Sequence, residues 1–134
     1  MTTKEILEKY KKIAVYGMSA KPHKPSFYVP MFLYNQGYEI SPINPSTNEI
    51  EGLQTYPSIA DVEGKIEILD VFRRSEFCLD IVKEAVDRKK QKGDIDVIWL
   101  QQGIINDDAK ELALENGIIF VQDKCLMQEY NIYF

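Results

Sequence analysis

Ile13-Ala14-Val15-Tyr16-Gly17-Met18-Ser19 is an apolar run that ends in a glycine and a small hydroxyl residue. A second apolar run follows and closes in Ser41-Pro42-Ile43-Asn44-Pro45. The stretch between them has the composition of a helix. Together they spell the first β-α-β unit of a nucleotide-binding α/β fold. Gly17 permits a tight turn at the strand end. The helix that follows aims its free N–H groups at whatever sits above the strands. Such a crevice suits a phosphorylated ligand before any catalytic group is considered.

The departures from the dinucleotide fingerprint narrow the reading. G-x-G-x-x-G requires a glycine where Ser19 stands, because that glycine lets a pyrophosphate approach the backbone. The second strand of a dinucleotide fold ends in an acid that binds the ribose, and here it ends in Asn44. A Walker A loop, G-x-x-x-x-G-K-[ST], is absent. These features count against NAD, FAD and an NTPase.

Outward from this unit, strands and helices alternate. Thr2-x-x-Glu5 is a capping-box pattern ahead of Ile6, Leu7 and Tyr10, so a short helix over about 2–10 is expected. The first strand is read as 12–17. The helix after it is read as 26–36, stopped by Gly37, with Pro30 tolerable only in its first turn. The second strand is 38–43. A turn with a short edge strand near Leu53 follows, and Ser58 is read as capping a brief helix through Val62. Residues 66–72, nearly all apolar, suit a strand buried on both faces. Ser75 opens a helix in which Phe77, Ile81, Val82 and Ala85 recur at helical spacing. Its last turn, 87–92, reads as solvated and mostly basic, and Gly93 ends it. A strand over 95–100 comes next. Asn106, Asp107 and Asp108 then form a helix start with a cap and two acids at the positive dipole end. That helix ends at Gly117, a strand spans 118–121, and a final helix follows Cys125. The expected fold is α/β: a doubly wound, Rossmann-like parallel sheet of five strands with helices on both faces, in a single domain over residues 1–134.

Bulk composition excludes several function classes. A net charge of −5 gains little from counterion release, so nucleic acid is a poor partner. No apolar run is long enough to span a bilayer, and the charged, helical N-terminus is unlike a signal peptide. Cys78 and Cys125 form neither a metal spacing nor a disulfide framework. A cytoplasmic location is therefore expected. His23, the single histidine, cannot by itself make a metal site or a triad.

Ligands of open parallel sheets lie beyond the carboxyl ends of the strands, at the switch in strand order. Polar, cationic and glycine residues cluster at those ends: Gly17-Met18-Ser19, Asn44-Pro45, Phe72-Arg73-Arg74-Ser75, Gln101-Gln102-Gly103 and Asp123-Lys124-Cys125. Arg73 and Arg74 precede a helix, where cations oppose the dipole, and a bound anion would account for them. Lys21 and Lys24 are loop cations, a class commonly just solvated. Cys125, Cys78 and Trp99 read most simply as core, and Asp70 and Asp123 as strand-end acids without a matched neighbour.

The ordered set of motifs resembles the small stand-alone CoA-binding proteins, whose fold matches the CoA-binding domain of the succinyl-CoA synthetase α subunit. The resemblance runs from about Lys11 to Tyr130. It rests on Val15-Tyr16-Gly17-Met18-Ser19, Lys21-Pro22-His23-Lys24-Pro25-Ser26, Pro42-Ile43-Asn44-Pro45, Ile50-Glu51-Gly52, Asp70-Val71-Phe72-Arg73-Arg74, Trp99-Leu100-Gln101-Gln102-Gly103 and Asp123-Lys124-Cys125. It implies that the loop Gly17 to Ser26, with Met18, Ser19, Lys21 and Lys24, holds phosphates. It implies that Asn44-Pro45 lines the adenosine side, that Phe72, Arg73 and Arg74 face the ligand, and that Gln102-Gly103 closes the crevice. The synthetase domain carries a lysine just after its Asn-Pro, where Ser46-Thr47-Asn48 stands here. The family's common arginine at position 24 is Lys24, and no basic residue stands near Asn131 or Ile132.

The expected function is binding of coenzyme A or an acyl-CoA, without catalysis of its own. The alternatives are an NAD-type enzyme and an interaction module that has lost its ligand.

Overall fold

The computed structural model describes residues 1–134. Helix α1 (Thr3–Lys9) begins as the capping box requires: Thr2 Oγ1 accepts the Glu5 N–H, and Glu5 accepts the Thr2 N–H at 2.9 Å. Strand β1 (Lys12–Tyr16) leads through a loop to α2 (Pro25–Asn35), and β2 (Glu39–Ile43) returns parallel to β1. The segment read as a lone edge strand is half of an antiparallel hairpin, β3 (Glu49–Ile50) with β4 (Leu53–Gln54). Glu51 and Gly52 join its strands, both at positive φ, as a two-residue hairpin turn demands. Then come β5 (Ile68–Val71), a 3-10 turn (Ser75–Phe77), α3 (Cys78–Lys92), β6 (Val97–Leu100), α4 (Asp107–Glu115), β7 (Ile119–Val121) and α5 (Leu126–Tyr133).

The main sheet is parallel, in the order β2-β1-β5-β6-β7. The chain winds outward from β1 to β2, then returns to β5 on the other side of β1. The switch point therefore lies between β1 and β5. Side chains alternate across the strands. Ala14, Leu69, Val71, Ile98 and Leu100 pack toward α3 and α4. Val15, Ile68, Val97 and Trp99 pack in the opposite cluster, with residues of α1, α2 and α5. Helices cover both faces, which is why β6 and residues 13–15 of β1 read as unbroken apolar runs. Each fully buried Ile or Leu contributes about 1.5–3 kcal/mol.

Pro30 lies in the middle of α2, not in its first turn. Its ring removes the donor that would bond the Ser26 carbonyl, and the Ser19 N–H fills that place at 3.2 Å. The proline thus frees a carbonyl that ties the β1–α2 loop to the helix. Residues 58–62 form a turn, not a helix. Ser58 Oγ donates to Asp61 Oδ2 at 2.8 Å, while Ile59 and Val62 plug the core. So short a stretch cannot repay helix nucleation. The strand expected from Ile95 starts at Val97, because Ile95 adopts a left-handed φ of 61°.

The basic turn 87–92 is not wholly solvated. Arg88 is buried, pairs with Asp94 at 3.0 Å, and donates to the carbonyls of Ile59, Val62 and Gly64. This one side chain ties the end of α3 to the loop before β5. Gly93 ends α3 in the left-handed region, as expected. No helix is long and apolar enough to cross a membrane.

Candidate functional site

The carboxyl ends of β1, β2 and β5 crowd together at the switch point. Gly17 takes a φ of +83°, and a Cβ there would sit 2.9 Å from the Phe72 carbonyl oxygen. Only glycine fits both the conformation and the space. Gly17 N–H donates to the Ile43 carbonyl, and Phe72 N–H donates to the Tyr16 carbonyl. The loop beyond is braced from inside. Ser19 Oγ accepts the Lys21 N–H at 3.0 Å, and Asn44 Nδ2 donates to the Met18 carbonyl at 2.8 Å. Asn44 Oδ1 accepts the Ser46 N–H at 2.7 Å. Asn44 therefore joins the loop after β2 to the loop after β1.

Helix α2 points its first turn at this loop. Its N-cap, Lys24, makes no side-chain cap bond, and no acid lies in the first turn. The positive end of the helix is left uncompensated by the protein.

Two connected lobes open above the strand ends. The smaller, about 440 Å³, lies over Gly17, Ser19, Asn44 and Pro45. The larger, about 900 Å³, is lined by Tyr28, Val29, Arg74, Gln101, Gln102, Gly103, Ile104, Cys125 and Met127, among others. Lys24, Ser26, Phe72 and Arg73 line both, so they form the waist of one long crevice.

Of the residues singled out in the sequence, Gly17, Met18, Ser19, Asn44 and Pro45 line the smaller lobe alone. Arg74, Gln102 and Gly103 line the larger lobe alone. Lys21 lines neither and is exposed. Met18 belongs through the loop it forms; its side chain is buried in the core. The two arginines differ. Arg73 reaches both lobes and passes beside Gly17, its guanidinium 4.9 Å from the centre of the Phe77 ring. Arg74 reaches only the larger lobe and pairs with Glu76 at 3.6 Å on the surface.

Tyr28, Val29, Ile104 and Met127 also line the larger lobe but lie outside the sequence motifs. Val29 reads as ordinary helix core, and Met127 comes from α5, far away in sequence, so neither carries a local signal. Gln101 did carry one: it is polar and directly follows the buried strand β6. Trp99 is core, as expected, and also donates from Nε1 to the Lys124 carbonyl at 2.8 Å. That bond anchors the loop that sets Cys125 at the wall of the larger lobe. Cys78 is buried, and desolvation pushes its thiol up to about 11, where it is inert.

Asp70 is not a strand-end acid. It lies within β5, between Val15 and Trp99, and is fully buried. Desolvation raises its carboxyl to about 8. The Gln101 amide lies 2.6 Å from Asp70 Oδ1, and Asp70 Oδ2 has no partner.

Fold and crevice define a doubly wound α/β domain with its open site over the switch point, where such sheets take ligands. The chain belongs to the CoA-binding domain family, whose model matches residues 11–131. It is 37% identical over 123 residues to the protein YneT of Bacillus subtilis, covering 92% of this chain and 87% of that one. It is 27% identical over 116 residues to an ADP-forming acetate–CoA ligase of Archaeoglobus fulgidus, covering 85% of this chain but only 17% of the ligase. Among solved structures, cell-free ID.343 from Thermus thermophilus superposes with a TM-score of 0.90 at 34% identity, over 100% of both chains.

Proposed function

We propose that the crevice binds coenzyme A or an acyl-CoA and that the chain performs no chemistry on it. Membership of the CoA-binding domain family supports this reading. The observation that carries it is the shape and charge of the crevice. Two lobes meet at a waist shared by Lys24 and Arg73, beside the uncapped start of α2. A ligand with a nucleotide at one end, a neutral arm at the other and phosphates between them suits that order. The phosphates lie at the waist, against the loop Gly17 to Ser26 and Arg73. The adenosine lies in the smaller lobe by Asn44 and Pro45. The arm runs along the larger lobe past Phe72, Gln102 and Gly103.

Ser46, Thr47 and Asn48 give the smaller lobe no cation of its own after Asn44-Pro45. The ribose 3′-phosphate is then weakly recognised. General acid–base catalysis needs a group of tuned pKa within reach of the substrate. Asp70 is tuned but sealed within the sheet.

Thermal melts with CoA, dephospho-CoA, NAD and ATP test the reading. A ligand that binds only the folded chain adds ~2.7 kcal/mol at a hundredfold excess over its dissociation constant. CoA and dephospho-CoA should raise the midpoint by similar amounts, and NAD should not. A larger shift with NAD would reverse the assignment.

A further inference from the structure

Gln101 and Asp70 form a buried polar pair behind the larger lobe. Gln101 is 4% exposed, yet it lines the larger lobe beside Val29, Phe72 and Met127. One end of its amide is committed to Asp70, and the other has no hydrogen-bond partner in the protein. Asp70 lies beneath it with no exposed surface.

We propose that Asp70 is a positioning residue, holding Gln101 so that its NH2 group faces the larger lobe and donates to a carbonyl of the ligand's neutral arm. This rests on the CoA reading above. The 2.6 Å separation between the amide and Asp70 Oδ1 lies within the range of O–H···O bonds and below that of most N–H···O bonds. An amide's nitrogen and oxygen exchange places on a half-turn. In that orientation the Asp70 hydroxyl, on Oδ1, donates to Gln101 Oε1, and only a carbonyl oxygen, Oδ2, is left without a donor. The opposite orientation strands the acidic proton on Oδ2, a buried donor with no acceptor, which is the costlier fault. Burial keeps the acid neutral at pH 7, consistent with a donating hydroxyl. The arm of CoA carries amide carbonyls, and an acyl-CoA adds a thioester carbonyl. The pair thus selects for a neutral acceptor at a point where a cation would select for another phosphate.

Calorimetric titrations with CoA and with adenosine 3′,5′-bisphosphate, which lacks the arm, separate the two ends of the site. Gln101→Leu should weaken CoA about tenfold, the worth of one hydrogen bond, and leave the bisphosphate unchanged. Asp70→Leu should do the same. Asp70→Asn, a neutral group that can still donate to Gln101, should keep CoA affinity within about threefold of the unaltered protein. Should Asp70→Leu fail to fold, the Gln101→Leu and Asp70→Asn titrations decide alone. Unchanged CoA affinity in Gln101→Leu would overturn the proposal, and so would equal weakening of both ligands. An Asp70→Asn loss as large as that of Gln101→Leu would overturn it too. If the unaltered protein binds neither ligand, the CoA reading itself falls, and this proposal with it.

Discussion

Replacing Asp70 with asparagine removes an ionisable group from the centre of the sheet. The carboxyl is fully buried, and desolvation raises it from 3.8 to about 8. Between those values the folded chain holds a proton that the unfolded chain has released. Stability must then fall as pH rises through this window, and the full cost of ionisation is reached above it. One proton corresponds to ~1.4 kcal/mol per pH unit. Moving from pH 5 to pH 7 therefore costs about 2–3 kcal/mol from Asp70 alone. Desolvation also raises Glu84, which tilts stability the same way but is screened at the surface. Glu5, lowered by its backbone bond with Thr2, tilts it the other way from an exposed position. Neither rivals the buried acid. The amide of Asp70→Asn occupies the same space and takes up no proton, so the variant should lose most of the decline. Urea unfolding at pH 5, 6 and 7 reads this directly through Trp99, the single tryptophan, which is fully buried. Parallel declines in the two proteins would refute the reasoning, because the slope would then arise elsewhere.

Arg88→Ala should destabilise the fold by about 3–5 kcal/mol, since it strands the Asp94 charge and three backbone carbonyls inside the protein; denaturant midpoints check this. Arg73→Ala should cost about 1.5–3 kcal/mol in CoA binding with the melting point little changed, whereas Arg74→Ala should cost less, its side chain being paired with Glu76. Calorimetric titration of the two variants decides it, and equal losses would contradict the ranking.

The sheet is legible in the sequence because its central strands are buried on both faces. Such runs as Ile13 to Val15 and Val97 to Leu100, short and bounded by turn signals, suit a strand better than a helix. Caps are legible at Thr2 and Asn106, where a side-chain oxygen meets the N–H that its spacing implies. Pro30 is not, because a proline is tolerated mid-helix when another donor takes the freed carbonyl. That donor, Ser19, lies outside the helix and leaves no local trace. Arg88 reads as solvated because its neighbours Lys89 and Lys90 are basic, and its partner Asp94 lies beyond the helix. Asp70 reads as a strand end because a charged type is rarely placed inside a parallel sheet; burial neutralises it. In the site, the loop and strand-end residues are legible because the switch point fixes where they meet. The walls from α2 and α5 are not, because Tyr28 and Met127 reach the crevice only through the packing of those helices.

Whether the crevice over β1 and β5 takes CoA is tested most directly by isothermal titration of the purified protein with CoA, and in parallel with NAD. Saturable binding of one CoA per chain is expected, with no comparable heat from NAD. Saturable binding of NAD with none of CoA would contradict the assignment.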